Sequence, residues 1–168
     1  ILECHLTAPF KILRAAQPHI KRLFLEEKEN GVTNFRKVAN ISSTSGMFGN
    51  AGQINYATAK AGVVGMAKTM AKEWGRYNVN VNAVGFGLIK TRLTDADAEK
   101  EESLIDIEGN KIKVGVNSAV FQSAKTMIPL GRPGTPQEAA GAIYMFCIPE
   151  SNYVTGQILM CHGGGFGY

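Results

Sequence analysis

Tyr56-Ala57-Thr58-Ala59-Lys60 opens a clearly helical run and stands thirteen residues beyond Ser43. Four residues make about one helical turn, so Tyr56 and Lys60 project from one face. An ammonium beside a phenol favours the phenolate, which makes a proton donor and acceptor suited to neutral pH. A hydroxyl on the preceding loop would then hold a substrate oxygen, and spacing to Tyr56 selects Ser43. Ser42, Thr44 and Ser45 share the alternative role of capping the turn. The three groups together describe carbonyl reduction or alcohol oxidation. A Tyr–Lys pair at this spacing is, in isolation, an ordinary helix-surface feature, so the flanking residues decide its meaning.

Those flanks read as strand, loop, helix and strand. Phe35 to Ser42 is apolar enough for a strand, with Val38, Ala39 and Ile41 central. Ser43 to Gly52 reads as a small, glycine-rich loop, and Ile54 to Tyr77 as a long helix rich in Ala, Gly and Met. Asn78 to Val84 is a second strand, bounded by Gly85. Upstream, Leu6 to Lys28 reads as one helix. Ile12, Leu13, Ala16, Ile20, Leu23 and Phe24 recur at helical spacing, Pro9 fits the first turns and Pro18 suggests a kink. Glu27 to Asn34 is a polar loop.

Downstream, Asp95 to Ser103 is charged and helical or mobile. Leu104 to Ile107 and Lys111 to Val114 alternate about Gly109-Asn110, which is a hairpin signal. It reads as an excursion over the site, within a stretch at about 94–128. Ser118 to Met127 reads as a short helix. Thr135 as N-cap and Pro136 at the first position begin another helix, running to about Cys147. Tyr153 to Cys161 is the last strand.

The stretches Val38-Ala39-Asn40-Ile41-Ser42-Ser43-Thr44-Ser45-Gly46 and Gly49-Asn50-Ala51-Gly52-Gln53-Ile54-Asn55 precede Tyr56. Ala61-Gly62-Val63-Val64-Gly65 and Val79-Asn80-Val81-Asn82-Ala83-Val84 follow it. Over essentially the whole chain this resembles the short-chain dehydrogenase/reductase family. The subgroup it is most similar to is the 3-oxoacyl-acyl-carrier-protein reductases and their 3-hydroxyacyl-thioester dehydrogenase relatives. The resemblance implies an α/β fold, the C-terminal part of a Rossmann-like, doubly wound parallel sheet, with residues 1–168 forming part of one NAD(P)-binding domain. It implies a cofactor, NAD or NADP with NADPH slightly ahead, and a ketone or secondary-alcohol substrate such as a 3-oxoacyl or 3-hydroxyacyl thioester.

The resemblance also implies roles for individual residues. Tyr56 is the general acid/base, and Lys60 supports it while binding the nicotinamide ribose hydroxyls. Gly85-Phe86-Gly87-Leu88-Ile89-Lys90-Thr91 corresponds to the loop over the nicotinamide. In it Gly87 gives close backbone approach, and the Ile89 main chain and Thr91 hold the carboxamide. Phe86 stands where relatives carry proline. His5 stands where they carry an asparagine that supports a proton-relaying water, so it either holds the same water or is a helix-start polar residue. Met47, Phe48 and Phe86 are equally candidates for an acyl-binding wall or for the core. His162 replaces a usual aspartate and is expected in subunit packing. The helices at about 6–28 and 54–77 are those that pair between subunits, so a homo-oligomer, dimer or tetramer, is expected.

No strand here is followed by G-x-G-x-x-G. Gly85 and Gly87 lack a third glycine at the right offset, and Gly163-Gly164-Gly165 lies at the C-terminal end. A nucleotide-binding α/β fold sets the pyrophosphate on a helix N-terminus after its first strand. The glycine-rich N-terminal half is therefore expected to lie outside this sequence, along with the residues that discriminate NAD from NADP. The alternative is a truncated, non-catalytic homologue acting as an assembly or binding partner. Against it, the strand Phe35 to Ser42 would be left with an exposed ladder edge, so the excised chain is expected to be unstable or to aggregate.

The chain has 168 residues, 45% hydrophobic content and a net charge of +4, sufficient for a globular core. Its basic residues are scattered apart from Lys21-Arg22 and Lys111/Lys113. Without a basic helix or stacking motif, nucleic-acid binding is not expected. No apolar run suits a membrane span. Cys4, Cys147 and Cys161 are irregularly spaced and read as reduced, mostly buried thiols of a cytoplasmic protein. They and the scattered His5, His19 and His162 form no metal site.

Overall fold

The computed structural model describes residues 1–91, 104–107, 109–113, 123–124 and 126–165. A π-helical turn, Glu3–Thr7, leads into α1, Ala8–Glu29. There follow β1 (Arg36–Ser43), a short α2 (Thr44–Phe48), α3 (Ile54–Trp74) and a 3-10 turn (Gly75–Tyr77). After these come β2 (Val79–Phe86), the hairpin strands β3 (Leu104–Ile107) and β4 (Asn110–Lys113), α4 (Pro136–Tyr144) and β5 (Ile158–Cys161).

The main sheet has strand order β1-β2-β5 and is parallel throughout. Register pairs Val38 with Val81 and Ser43 with Phe86. Parallel sheets need cover on both faces, and two apolar clusters supply it. On one face Val79, Val81 and Ala83 pack against Ala67, Met70, Ala71 and Trp74 of α3, with Leu13 and Ile20 of α1 behind them. On the other, Val84 packs against Ala142 of α4 and Phe146, with Phe86 and Leu159 alongside. Buried positions of α3 recur at Ala59, Val63, Ala67, Ala71 and Trp74, the stripe a helix presents to a sheet. Its alanines let the helix lie close, as the small-residue content predicts.

Between strands, side chains fix the turns. Asn78 adopts φ 55° immediately before β2, a conformation in which asparagine is tolerated. Asn82, 1% exposed, donates from Nδ2 to the Val154 carbonyl (2.9 Å) and accepts at Oδ1 from the Gln157 amide (2.9 Å). Asn80 donates in the same way to the Asn152 carbonyl (3.0 Å). The two asparagines thereby bind the irregular approach to β5 against β2. Arg36 makes a two-pronged ion pair with Glu27, joining the end of α1 to the start of β1.

Several boundaries differ from the sequence expectation. Thr44–Phe48 is helical rather than loop because Ser43 is an extended N-cap whose Oγ accepts from the Ser45 amide at 3.2 Å. β2 runs on to Phe86, while the last strand is confined to Ile158–Cys161 and Pro149–Ser151 forms a 3-10 turn. Ile12 is 67% exposed, off the face on which Leu13 and Ile20 meet the core. Cys4 and Cys147 are exposed and Cys161 is half-buried, correcting the expectation of buried thiols. The hairpin forms about Gly109 with Ile105 opposite Ile112. Asp95 to Ser103 and 118–122 lie outside the described residues. Among the described residues no helix is long and apolar enough to cross a membrane.

Candidate active site

The crevice beyond the carboxyl ends of parallel strands is where open α/β sheets hold ligands, and β1 ends there at Ser43. Ser43 is buried and serves as the N-cap of α2. Its neighbours attach this corner to α3. Ser42 Oγ donates to the Lys60 carbonyl at 2.8 Å, and Ser45 Oγ donates to Gln53 Oε1 at 3.0 Å, just ahead of α3. Asn50 Nδ2 donates to the same Gln53 oxygen at 3.1 Å. A β-carbon at Gly46 would stand 2.6 Å from the Lys60 carbonyl carbon, so only glycine allows α2 to approach α3 this closely.

Tyr56 and Lys60 follow one turn apart on α3. Lys60 is 6% exposed. Its Nζ lies 5.6 Å from the centre of the Tyr56 ring and donates to the Ile41 carbonyl at 3.0 Å. An ammonium carries three donors, and that carbonyl is the acceptor Lys60 uses among the described residues. No carboxylate among them pairs with it. Burial pushes the Lys60 amine below the ordinary lysine range. His5, from the π-helical turn, meets the Tyr56 ring edge to face, with centroids 5.4 Å apart and planes at 86°. Burial first, then the Lys60 cation and the Ile1 amino group, keep the imidazole below the usual histidine range.

The loop after β2 is tied down by its main chain. The Gly87 amide donates to the Cys161 carbonyl (3.0 Å), Gly134 donates to Leu88 (2.9 Å), and Lys90 donates to Gly134 (2.8 Å). Ile89 and Gly134 form a parallel bridge, and Thr91 lies exposed just beyond. A β-carbon on Gly87 would meet His162 Cβ at 2.7 Å. His162 therefore packs within the chain against this loop, rather than serving only the subunit contact expected of it. Its Nδ1 also accepts from the Gly164 amide at 3.3 Å.

Of the three apolar candidates, Met47 and Phe48 are exposed at the end of α2. Phe86 sits with the cluster beneath α4. The structure thus sets His5 and Lys60 each against the Tyr56 ring and braces the Ser43 corner against the same helix. Sequence reasoning did not single out Gly46, Gln53 or the Ile41 carbonyl. The glycine following four hydroxyl residues was the one available signal.

The family model described as Enoyl-(Acyl carrier protein) reductase matches residues 1–165. The chain belongs to the short-chain dehydrogenase/reductase family. Within that family it is most like the 3-oxoacyl-acyl-carrier-protein reductases. It is 35% identical to 3-oxoacyl-[acyl-carrier-protein] reductase FabG of Thermotoga maritima over 98% of this chain and 55% of that protein. It is 39% identical to the reductase of the same name from Chlamydia muridarum over 76% of this chain and 44% of that protein. Nodulation protein G of Rhizobium meliloti is 32% identical, again over 98% of this chain and 55% of the relative. The chain therefore spans about half the length of the curated relatives it matches. Among solved structures, a 4-hydroxyisoleucine dehydrogenase complexed with NADH and succinate superposes with a TM-score of 0.71. That match has 23% identity and covers 98% of this chain and 56% of the other; it speaks for the Rossmann-like fold alone.

Proposed function

We propose that this chain carries the proton-handling half of an NAD(P)-dependent oxidoreductase that interconverts a ketone and a secondary alcohol. A 3-oxoacyl or 3-hydroxyacyl thioester is the favoured substrate. The observation that carries the reading is Lys60: a buried ammonium beside a phenol, with no carboxylate partner among the described residues. Such a cation is costly to bury and is retained where chemistry uses it.

The residues fit a nicotinamide cofactor. Lys60 has N–H donors beyond the one given to Ile41, suited to ribose hydroxyls. The strapped Gly87–Thr91 segment, with Ile89 and Thr91, fits the carboxamide end, and the glycine gives close backbone approach. When bound, the nicotinamide supplies or accepts the hydride. Tyr56 donates its hydroxyl proton to the substrate oxygen in reduction and removes it in oxidation. Ser43 Oγ donates to the same oxygen and stabilises its developing charge. Lys60 sets its ammonium 5.6 Å from the Tyr56 ring centre, where it supports that proton transfer. Met47 and Phe48 offer an apolar wall beside that corner, and Phe86 backs the loop from the α4 side.

Self-association through α1 and α3 is part of the proposal. A groove of about 430 Å³ runs between the two helices, lined by Leu6, Phe10, Leu13, Met66, Met70 and Trp74 among others. Phe10 is 50% exposed at its rim. A second copy presenting the same helices would cover it, as closed symmetric dimers do.

The test is Tyr56→Phe in the full-length protein, assayed with 3-oxoacyl and 3-hydroxyacyl thioesters and both nicotinamide cofactors. Turnover is expected to fall by at least a thousandfold, on the order of what removing a positioned acid/base costs. Cofactor binding should persist. Unchanged turnover would remove Tyr56 from the mechanism.

A further inference from the structure

We propose that His5 is a positioning residue for Tyr56, acting through its ring rather than through a hydrogen bond. The inference rests on the reading of Tyr56 as the acid/base. Three observations converge on it. First, residues Glu3–Thr7 form a π-helical turn ahead of the regular helix α1, and such one-turn irregularities commonly set a side chain for function. Secondly, the turn is docked on α3. Leu6 Cδ1 lies where a β-carbon on Gly62 would come within 2.8 Å, so the absence of a side chain at Gly62 lets the turn sit against α3 two residues beyond Lys60. Thirdly, the docked turn delivers the imidazole at right angles to the phenol, with centroids 5.4 Å apart, within the geometry that favours edge-to-face aromatic pairs.

Tyr56 thus has two neighbours against its ring. Lys60 Nζ lies 5.6 Å from the ring centre, and His5 stands against the ring edge to face. Tyr56 lies in the first turn of α3 and is only half-buried, so the helix alone leaves its side chain room to swing. The imidazole limits that swing and so fixes the plane in which the phenol stands. The depressed basicity of His5 agrees, since a neutral ring beside Lys60 adds no second cation.

The experiment compares His5→Ala, His5→Asn and His5→Phe in the full-length protein. Loss of the ring should lower kcat about ten- to hundredfold, the scale of a misplaced reacting group. The substrate KM and cofactor affinity should stay within about twofold, because the ring contact serves proton transfer rather than binding. Phe should restore kcat and Asn should not. A second readout does not depend on turnover. In protein carrying ring-labelled tyrosine, with Tyr56 assigned through Tyr56→Phe, the Tyr56 ring resonance should shift in the Ala and Asn variants and keep its position with Phe.

Rescue by Asn without rescue by Phe would overturn the proposal, because it would make His5 a hydrogen-bonding group. An Ala variant with normal kcat and an unmoved Tyr56 resonance would overturn it as well. A wild-type protein with no ketone or alcohol turnover would refute the proposed function, while the resonance would still decide the ring contact.

Discussion

Gly46 faces Lys60 across a gap that no side chain fits. A β-carbon there would lie 2.6 Å from the Lys60 carbonyl carbon, 2.7 Å from its Cβ and 2.8 Å from the Ala61 nitrogen. Two of these three are backbone atoms, which cannot swing aside. Gly46→Ala should therefore push α2 away from α3 at Lys60, which stands beside the Tyr56 ring. We expect a loss of about 1–3 kcal/mol in stability, typical of overpacking, with a fall in turnover larger than the stability loss alone produces. Thermal melting and kcat measured together check this. A variant as stable as the parent would mean that the two helices are not in such close contact.

In the proposed mechanism Lys60 sets function against stability. Its ammonium is buried, with one carbonyl acceptor among the described residues and a depressed proton affinity caused by desolvation. Lys60→Met keeps the stem and removes the charge. The variant should melt at or above the parent temperature at pH 7 while losing turnover and cofactor affinity. The pH dependence follows from the direction of the shift. The unfolded chain holds the Lys60 proton more tightly than the folded one, so parent stability rises as pH increases toward 10.5. Any advantage of the Met variant should shrink over that interval, and melting curves from pH 7 to 10.5 would show it.

At the start of α4, Glu138 closes a capping box with Thr135 and pairs with Arg132 through both carboxylate oxygens (2.7 and 2.8 Å). The Arg132 guanidinium, and then the Thr135 amide, hold the carboxyl at about 2. A depressed acid stabilises the fold above its unfolded value near 4.5 and ceases to do so as pH falls toward 2. Glu138→Gln should thus lower the melting temperature at pH 7 and make progressively less difference between pH 4.5 and 2. A gap that stays constant with pH would contradict the carboxylate's role.

Asn82 closes both of its polar ends on the approach to β5. Asn82→Leu orphans the Val154 carbonyl and the Gln157 amide at the same time. Each unpaired group costs about 1–3 kcal/mol where it is buried. We expect a large drop in the urea midpoint with an unchanged slope. A midpoint within error of the parent would show that water replaces the side chain at both sites.

Much of this architecture was legible because local chemistry and tertiary packing agree. The Tyr56–Lys60 spacing, the flanking strands and the Thr135-Pro136 cap each carry a signal within a few residues, and each appears where expected. Short-range reading failed where the partner is remote in sequence. The Asn82 bonds reach residues more than seventy positions away. The tight seat of Gly46 depends on Lys60, and Leu6 packs over Gly62, fifty-six positions away. Cys4 and Cys147 look apolar by type, yet which face of an element turns outward is set by what covers it. His5 was visible as a departure from the usual asparagine, but its ring contact with Tyr56 is a property of the fold.

Ser43, Tyr56 and Lys60 lie within eighteen consecutive positions, inside the single crossover from β1 to β2. Short sequence separations make contacts that form quickly and reopen together. Under the proposed function, proton handling would therefore belong to one cooperative segment. A fluctuation that lifts the first turns of α3 would then displace Tyr56 and Lys60 together while leaving β2 and β5 paired. If the proposed roles hold, activity on warming should be lost with that local opening, ahead of the collapse of the sheet.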